Sequence, residues 1–145
     1  MVFLKDKIFI HGASRPRAAI VATNNQIDIL LIKQLSDSDI VVLEVTLDNA
    51  KIVLVSMYLD INQHLHDMIN IEAIIQYAEG ARKLLAMDNN SRSTTWHDTQ
   101  TNTRGRIPEE FISSNQLHIL NEDNDYTTFS STGGSSNIDL TIVNT

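Results

Sequence analysis

The order of apolar segments predicts a mixed-sheet sandwich with helices on its outer faces. Three observations carry that expectation. Short β-branched runs recur from one end of the chain to the other, as strands do. One stretch, 64–79, switches instead to apolar residues three and four apart, the period of a helix. A second helical start stands at Pro108-Glu109-Glu110, and the two helices interrupt the strands without setting up a regular βαβα alternation. The 145 residues carry no internal repeat and no linker that would divide them, so one domain is expected.

Taken in order, Ile8-Phe9-Ile10 and Ala18–Ala22 read as strands joined through the turn-rich Gly12–Pro16. Residues 27–32 form a further apolar segment, strand or loop. Asp39–Thr46 and Lys51–Tyr58 are β-branched runs, and Asp48-Asn49 between them suits a tight hairpin, since both residues tolerate left-handed dihedrals. In 64–79, Leu65, Met68, Ile69, Ile71, Ile74, Ile75 and Ala78 share a helical face, and Gly80 is a natural stop. Leu84–Met87 is the next strand, and Ser91–Gly105 is polar and loop-like. Pro in a first turn followed by acids at the positive end of the helix dipole marks the second helix, with Phe111 and Ile112 on its apolar side. Leu117–Leu120 is a strand candidate, 130–136 a flexible loop around Gly133-Gly134, and Asn137–Val143 the closing strand.

Composition narrows the chemistry. There is no cysteine, which removes disulfides, thiolate metal sites and a cysteine nucleophile. No apolar run is long enough to span a bilayer, and the first residues lack a secretory signal, so an intracellular setting without a membrane partner is expected. The net charge is −7, an overall balance that does not favour nucleic acid. Its distribution is uneven, however. Lys5, Lys7, Arg15 and Arg17 against Asp6 make residues 1–17 net +3, and Arg82, Lys83, Arg92, Arg104 and Arg106 against Asp88 and Asp98 make 82–106 net +3. A basic rim around a carboxylate suits a polyanionic substrate and metal-dependent chemistry.

That carboxylate is Asp88. The run Leu84–Met87 ends abruptly in Asp88-Asn89-Asn90-Ser91-Arg92, with Trp96 beyond, as a buried strand does when it delivers polar groups to a surface. By itself Asp88-Asn89-Asn90 is also an ordinary turn. Asp60 follows the Lys51–Tyr58 strand, and Asp139 lies near the start of the last one. Acids at strand ends are placed for ligand or catalytic work, and carboxylates are the hard oxygen ligands that Mg²⁺ takes. An Asp two residues from an Asn can hold a water with one group and donate to a phosphate oxygen with the other, a division suited to phosphoryl transfer. His64, His66 and Asp67, and the His97-Asp98 pair, are weaker metal candidates that read better as solvated residues. There is no nucleotide-binding glycine fingerprint and no nucleophile elbow.

Several stretches taken together resemble a family. They are Arg17–Ile20; Val55–Tyr58 with Asp60; Met87–Trp96; Thr101-Asn-Thr-Arg-Gly-Arg106; Phe111-Ile112 with Leu120-Asn121; Thr128-Phe129; and Ser136-Asn-Ile-Asp-Leu-Thr141. Their order and spacing resemble the endonuclease/exonuclease/phosphatase superfamily, and within it the endonuclease domains of non-LTR retrotransposons of the R1-, TRAS- and jockey-like kind. The resemblance covers nearly the whole chain. It implies an α+β fold, a four-layer αββα sandwich of two packed mixed sheets. It also implies nicking of one DNA strand to prime reverse transcription, with Mg²⁺ or Mn²⁺ as cofactor, DNA as partner, and a reverse transcriptase domain in the same polyprotein working in the nucleus. Carried over by position, Asp88 resembles the acid that activates or orients the attacking water and contributes to the metal site. Asn90 resembles the phosphate-binding carboxamide, Tyr58 the tyrosine that contacts the scissile phosphate, and Asp139 the acid that orients a catalytic histidine. Arg92, Arg104, Arg106 and Trp96 stand as DNA or phosphate contacts.

The family pattern extends past both ends of these residues. Its opening strand with an Asn and its next with the main metal-binding Glu belong before Arg17, and the sixteen residues there carry neither. Its closing Ser-Asp-His belongs beyond Asp139. Residues 1–145 are therefore expected to be the central portion of a single such domain, incomplete at both termini, with impaired activity in isolation. A non-catalytic nucleic-acid-binding remnant and a phosphatase of the same superfamily remain as alternative readings.

Overall fold

The structure is a computed structural model and describes residues 2–4, 7–23, 26–62, 68–124 and 126–144; side chains at 2–4, 7–9, 68 and 69 lie outside that description. Eleven strands and two α-helices occur among the described residues. They are β1 (Val2–Leu4), β2 (Lys7–Ile10), β3 (Ile20–Ala22), β4 (Asp28–Leu31), β5 (Ile40–Leu47), β6 (Ala50–Tyr58), α1 (Met68–Tyr77), β7 (Arg82–Asp88), α2 (Arg106–Ser114), β8 (Leu117–Ile119), β9 (Phe129–Ser131), β10 (Gly134–Ser136) and β11 (Asp139–Asn144). Six of the strands form one mixed sheet in the order β4-β5-β6-β7-β11-β8, and β1-β2-β3 form a second, antiparallel sheet. The β5–β6 hairpin turns through Asp48 and Asn49, both at positive φ (49° and 63°), as its sequence demands. The β6–β7 pair is parallel and is joined through α1, the crossover that parallel strands require.

Side-chain alternation divides the large sheet's two faces. One face carries Val42, Val53, Val55, Met57, Leu85, Met87, Leu140 and Ile142, and packs against Ile71 and Ile74 of α1, Ala78 just past its end, and Phe111 and Ile112 of α2. The other face, at Val41, Leu43 and Val45, meets Ile10 and Ile20 from the small sheet and Ala18 just before β3. β5 is consequently buried on both sides, which is why it reads as a continuous apolar run. The small sheet covers the β4–β6 half of its face. Over β7, β11 and β8 that face is open among the described residues, and Leu84, Ala86, His118 and Leu120 are exposed there.

The expected α+β fold with two packed sheets is observed; among the described residues both helices lie on one face of the large sheet, and the second sheet is antiparallel where a mixed one was expected. Local differences have local causes. The first four positions of the expected 64–79 helix, with His64, His66 and Asp67, lie outside the described residues. The 130–136 segment is not an irregular loop: β9 and β10 pair as a hairpin, Ser131 opposite Gly134. Its serines and glycines carry no apolar alternation, so no strand signal exists there to read. The expected 27–32 segment is a strand, β4, paired antiparallel with β5.

Candidate active site

Sheet register assembles the site. Tyr58, last in β6, stands beside Asp88, last in β7, and Asp88 stands beside Asp139, first in β11. Their immediate neighbours Met57, Met87 and Leu140 point into the helix-side core, so all three polar side chains project from the opposite face. That face opens as a groove of about 410 Å³ whose lining includes Arg17, Ser56 and Thr141 together with these three. Residues 81 positions apart in the chain thus form one rank across three adjacent strands.

Asp88 is the electrostatic centre of the rank. Burial raises its pKa above the ordinary carboxylate range, the neighbouring Asp139 charge raises it further, and the Asn90 N–H partly offsets both. That N–H donates to Asp88 Oδ1 at 3.3 Å across a two-residue turn, with Asn90 in the left-handed region at φ 48°. The turn reading of Asp88–Asn90 and the site reading are therefore the same geometry. Asn90 Nδ2 donates to the Leu59 carbonyl at 3.1 Å, which tethers its carboxamide to the end of β6.

The expected nucleic-acid contacts are distributed differently. Trp96 is fully buried and its indole N–H donates to the Asn137 carbonyl at 3.0 Å. It is a core residue and offers no face for a base, a correction to its expected role as a stacking platform. Arg104 is partly buried, and its guanidinium donates to the carbonyls of Asp60 (2.8 Å), Leu59 (3.3 Å) and Asn89 (3.4 Å). It clamps the ends of β6 and β7 to each other. Arg92 donates from Nε to Asp98 Oδ1 at 2.9 Å and from Nη2 to Thr99 Oγ1 at 2.9 Å. Arg106 is exposed at the start of α2.

Other polar residues hold the rank in place, and no hydrophobic periodicity announces them. Burial works against the Asp98 carboxylate, but Arg92 and the N–H groups of Asn137 and Gln100 outweigh it and lower its pKa. Asp98 thereby anchors Asn137, two residues before Asp139, at 2.8 Å. The Thr128 hydroxyl accepts from the N–H groups of Ile138 (2.9 Å) and Asp139 (3.1 Å). Asn121 donates to the Asp139 carbonyl and accepts from the Thr141 N–H. Only the resemblance flagged Thr128 and Asn121; periodicity did not. The third strand-end acid, Asp60, sits apart from the pair. Its carboxylate accepts from the Asn62 backbone N–H and from Arg17, which lower its pKa in that order.

Residues 52–145 match the model of the family described as "Endonuclease-reverse transcriptase". The chain belongs to that endonuclease–reverse transcriptase family. Over 142 residues it is 29% identical to a retrovirus-related Pol polyprotein from the type-1 retrotransposable element R1 of Bradysia coprophila, covering 88% of this chain. The chain spans 14% of that polyprotein's length. In three dimensions it is similar to the endonuclease domain of TRAS1, a telomere-specific non-LTR retrotransposon, with TM-score 0.87 and 23% identity over 97% of this chain and 68% of that one. It is also similar to the mannosyl-6-phosphatase Bt3783 of Bacteroides thetaiotaomicron, with TM-score 0.60 and 12% identity over 97% and 64% of the two chains. At those identities the structural likenesses establish the fold.

Asp88 and Asp139 face one groove, and the Asp139 charge adds to burial in raising the Asp88 pKa. Their carboxylates are hard oxygen donors of the kind a divalent cation takes. Mg²⁺ commonly takes one or two carboxylates and completes its shell with water and substrate phosphate. Among the described residues, no group of three or more His, Cys, Asp or Glu side chains is placed to hold a metal.

Proposed function

We propose that this chain is the core of a retrotransposon-type DNA endonuclease that hydrolyses one phosphodiester bond of a target strand, the nick then priming reverse transcription. The observation that carries the proposal is the Tyr58–Asp88–Asp139 rank in a chain of this family. In this reading Asp88, with its raised proton affinity, holds and orients the attacking water. Tyr58 and the Asn90 carboxamide contact the scissile phosphate, which has to be fixed in line because phosphoryl transfer depends chiefly on positioning and charge stabilisation. Asp139 takes the part of the acid that orients a catalytic histidine. Asp88, with Asp139 adjacent, would hold Mg²⁺ or Mn²⁺, which supplies charge neutralisation at the phosphate. The partners are DNA and a reverse transcriptase domain of the same polyprotein, in the nucleus.

Supercoiled plasmid and Mg²⁺ provide the test. The expected outcome is slow conversion to the nicked form that Asp88→Ala and Asn90→Ala abolish, together with salt-sensitive DNA binding. Equal nicking by both variants would overturn the site assignment. Hydrolysis of sugar phosphates by a chain that neither binds nor nicks DNA would favour a phosphatase, the activity named for one structural neighbour.

A further inference from the structure

Among the described residues that line the groove Arg17 is the one cation, and the first expectation for an arginine there is a phosphate contact. Its surroundings argue otherwise. The guanidinium grips the Asp39 carboxylate through two parallel bonds, Nε to Oδ1 at 2.6 Å and Nη2 to Oδ2 at 2.5 Å. Its third nitrogen, Nη1, donates to Asp60. Both of those acids are mostly shielded, with side chains 16% and 17% exposed. Arg17 and its two partners therefore sum to a net negative charge, which repels a phosphate. The Cζ of the same guanidinium lies over the Tyr58 ring, 4.7 Å from its centroid.

The backbone around Arg17 is equally constrained. The N–H groups of Arg17 and Ala18 donate to the Ser38 carbonyl, and the Tyr58 N–H donates to the Asp39 carbonyl at 2.8 Å. Asp60 is itself fixed by the N–H and the carboxamide of Asn62. The approach to β3, the approach to β5 and the exit of β6 thus meet at one guanidinium, and the ring of Tyr58 lies beneath it.

We propose that Arg17 is a positioning residue, a carboxylate-locked plate stacked on Tyr58 that fixes where the phenol points into the Asp88–Asp139 groove, and is not itself a phosphate ligand. Planarity and the two-pronged fork do the fixing, so charge alone does not replace them; lysine offers a point charge without the plate or the fork. The catalytic consequence rests on the proposed endonuclease function, but the stacking does not.

Chain labelled with 3-fluorotyrosine gives a readout of Tyr58 by ¹⁹F NMR, assigned by Tyr58→Phe. In Arg17→Lys, Arg17→Gln and Asp39→Asn the Tyr58 resonance is expected to shift and broaden, while those of Tyr77 and Tyr126 stay in place. An unchanged Tyr58 resonance in all three folded variants would overturn the proposal. DNA binding supplies the second arm. Arg17→Gln is expected to leave the salt dependence of binding unchanged, whereas a slope reduced by about one counterion would mark Arg17 as a phosphate contact and also overturn it. Where nicking is measurable, Arg17→Lys is expected to lower kcat at least tenfold with little change in KM. Moved NMR signals in a chain whose every variant fails to nick would sustain the positioning role and count against the endonuclease reading.

Discussion

Asp88 shows what one residue gives up to make a site. Burial and the neighbouring Asp139 charge raise the pKa of its carboxylate, so the folded state holds its proton more tightly than the unfolded chain does. Stability from this group is therefore greatest below the ordinary carboxylate range and falls as pH rises through it towards the raised folded value. Asp88→Asn is expected to raise Tm at pH 7 while abolishing activity. The gain should fade below about pH 4, where the unfolded aspartate is itself protonated; thermal unfolding at both pH values checks this. Arg104 makes the opposite point. Its charge suggests a phosphate contact, yet its bonds go to the carbonyls of Leu59, Asp60 and Asn89. Arg104→Ala is expected to cost about 2 kcal/mol in urea unfolding, the scale of charged hydrogen bonds left unmade.

Loops fix this site as much as strands do, and the 89–105 connection is built around close backbone approaches. Asn102 is the hinge: its N–H donates to the Arg92 carbonyl, while its side-chain oxygen accepts from the N–H groups of Arg92 and Gly105. Gly105 closes the contact, because a Cβ there would fall 2.1 Å from the Arg92 carbonyl oxygen. Its φ is −66°, so the demand is for space and not for a special dihedral. Gly105→Ala is expected to destabilise by about 1–3 kcal/mol, the range for forced overpacking, and to weaken the Arg104 clamp next to it. Equal Tm values for the two proteins would refute that account. The Arg104-Gly105 pair is legible as a motif, but its reason is visible only when Arg92 is seen above it.

At the scale of the molecule, the uneven coverage of the large sheet has a measurable consequence. The β1–β3 sheet shields β4–β6, while Leu84, Ala86, His118 and Leu120 face outward over β7, β11 and β8. An apolar sheet face of this kind binds hydrophobic probes. The 145-residue chain is expected to enhance ANS fluorescence at neutral pH while fully folded, and Leu84→Lys with Leu120→Lys to cut that enhancement roughly in half. No enhancement from the folded chain would mean that the face is covered.

Local signals in the sequence determined the strands of the β5–β6 hairpin, its Asp48-Asn49 turn, the α1 and α2 stripes, and the abrupt polar end of β7. Each depends on neighbours within a few positions, where periodicity and turn chemistry act. Asp88, Asn90 and Asp139 stand out in the sequence as polar residues at the ends of apolar runs, and the resemblance adds Tyr58 and a role for each. Tertiary structure alone decided what those residues do to one another. Register between strands distant in the chain set Tyr58, Asp88 and Asp139 in one rank, because a shift of one residue would have turned any of them into the core. Burial made Trp96 a packing residue, and the geometry of fixed carbonyls and carboxylates turned Arg104 and Arg17 from expected or plausible phosphate contacts into clamps. Charge is written in the sequence, but what satisfies that charge is a property of the fold.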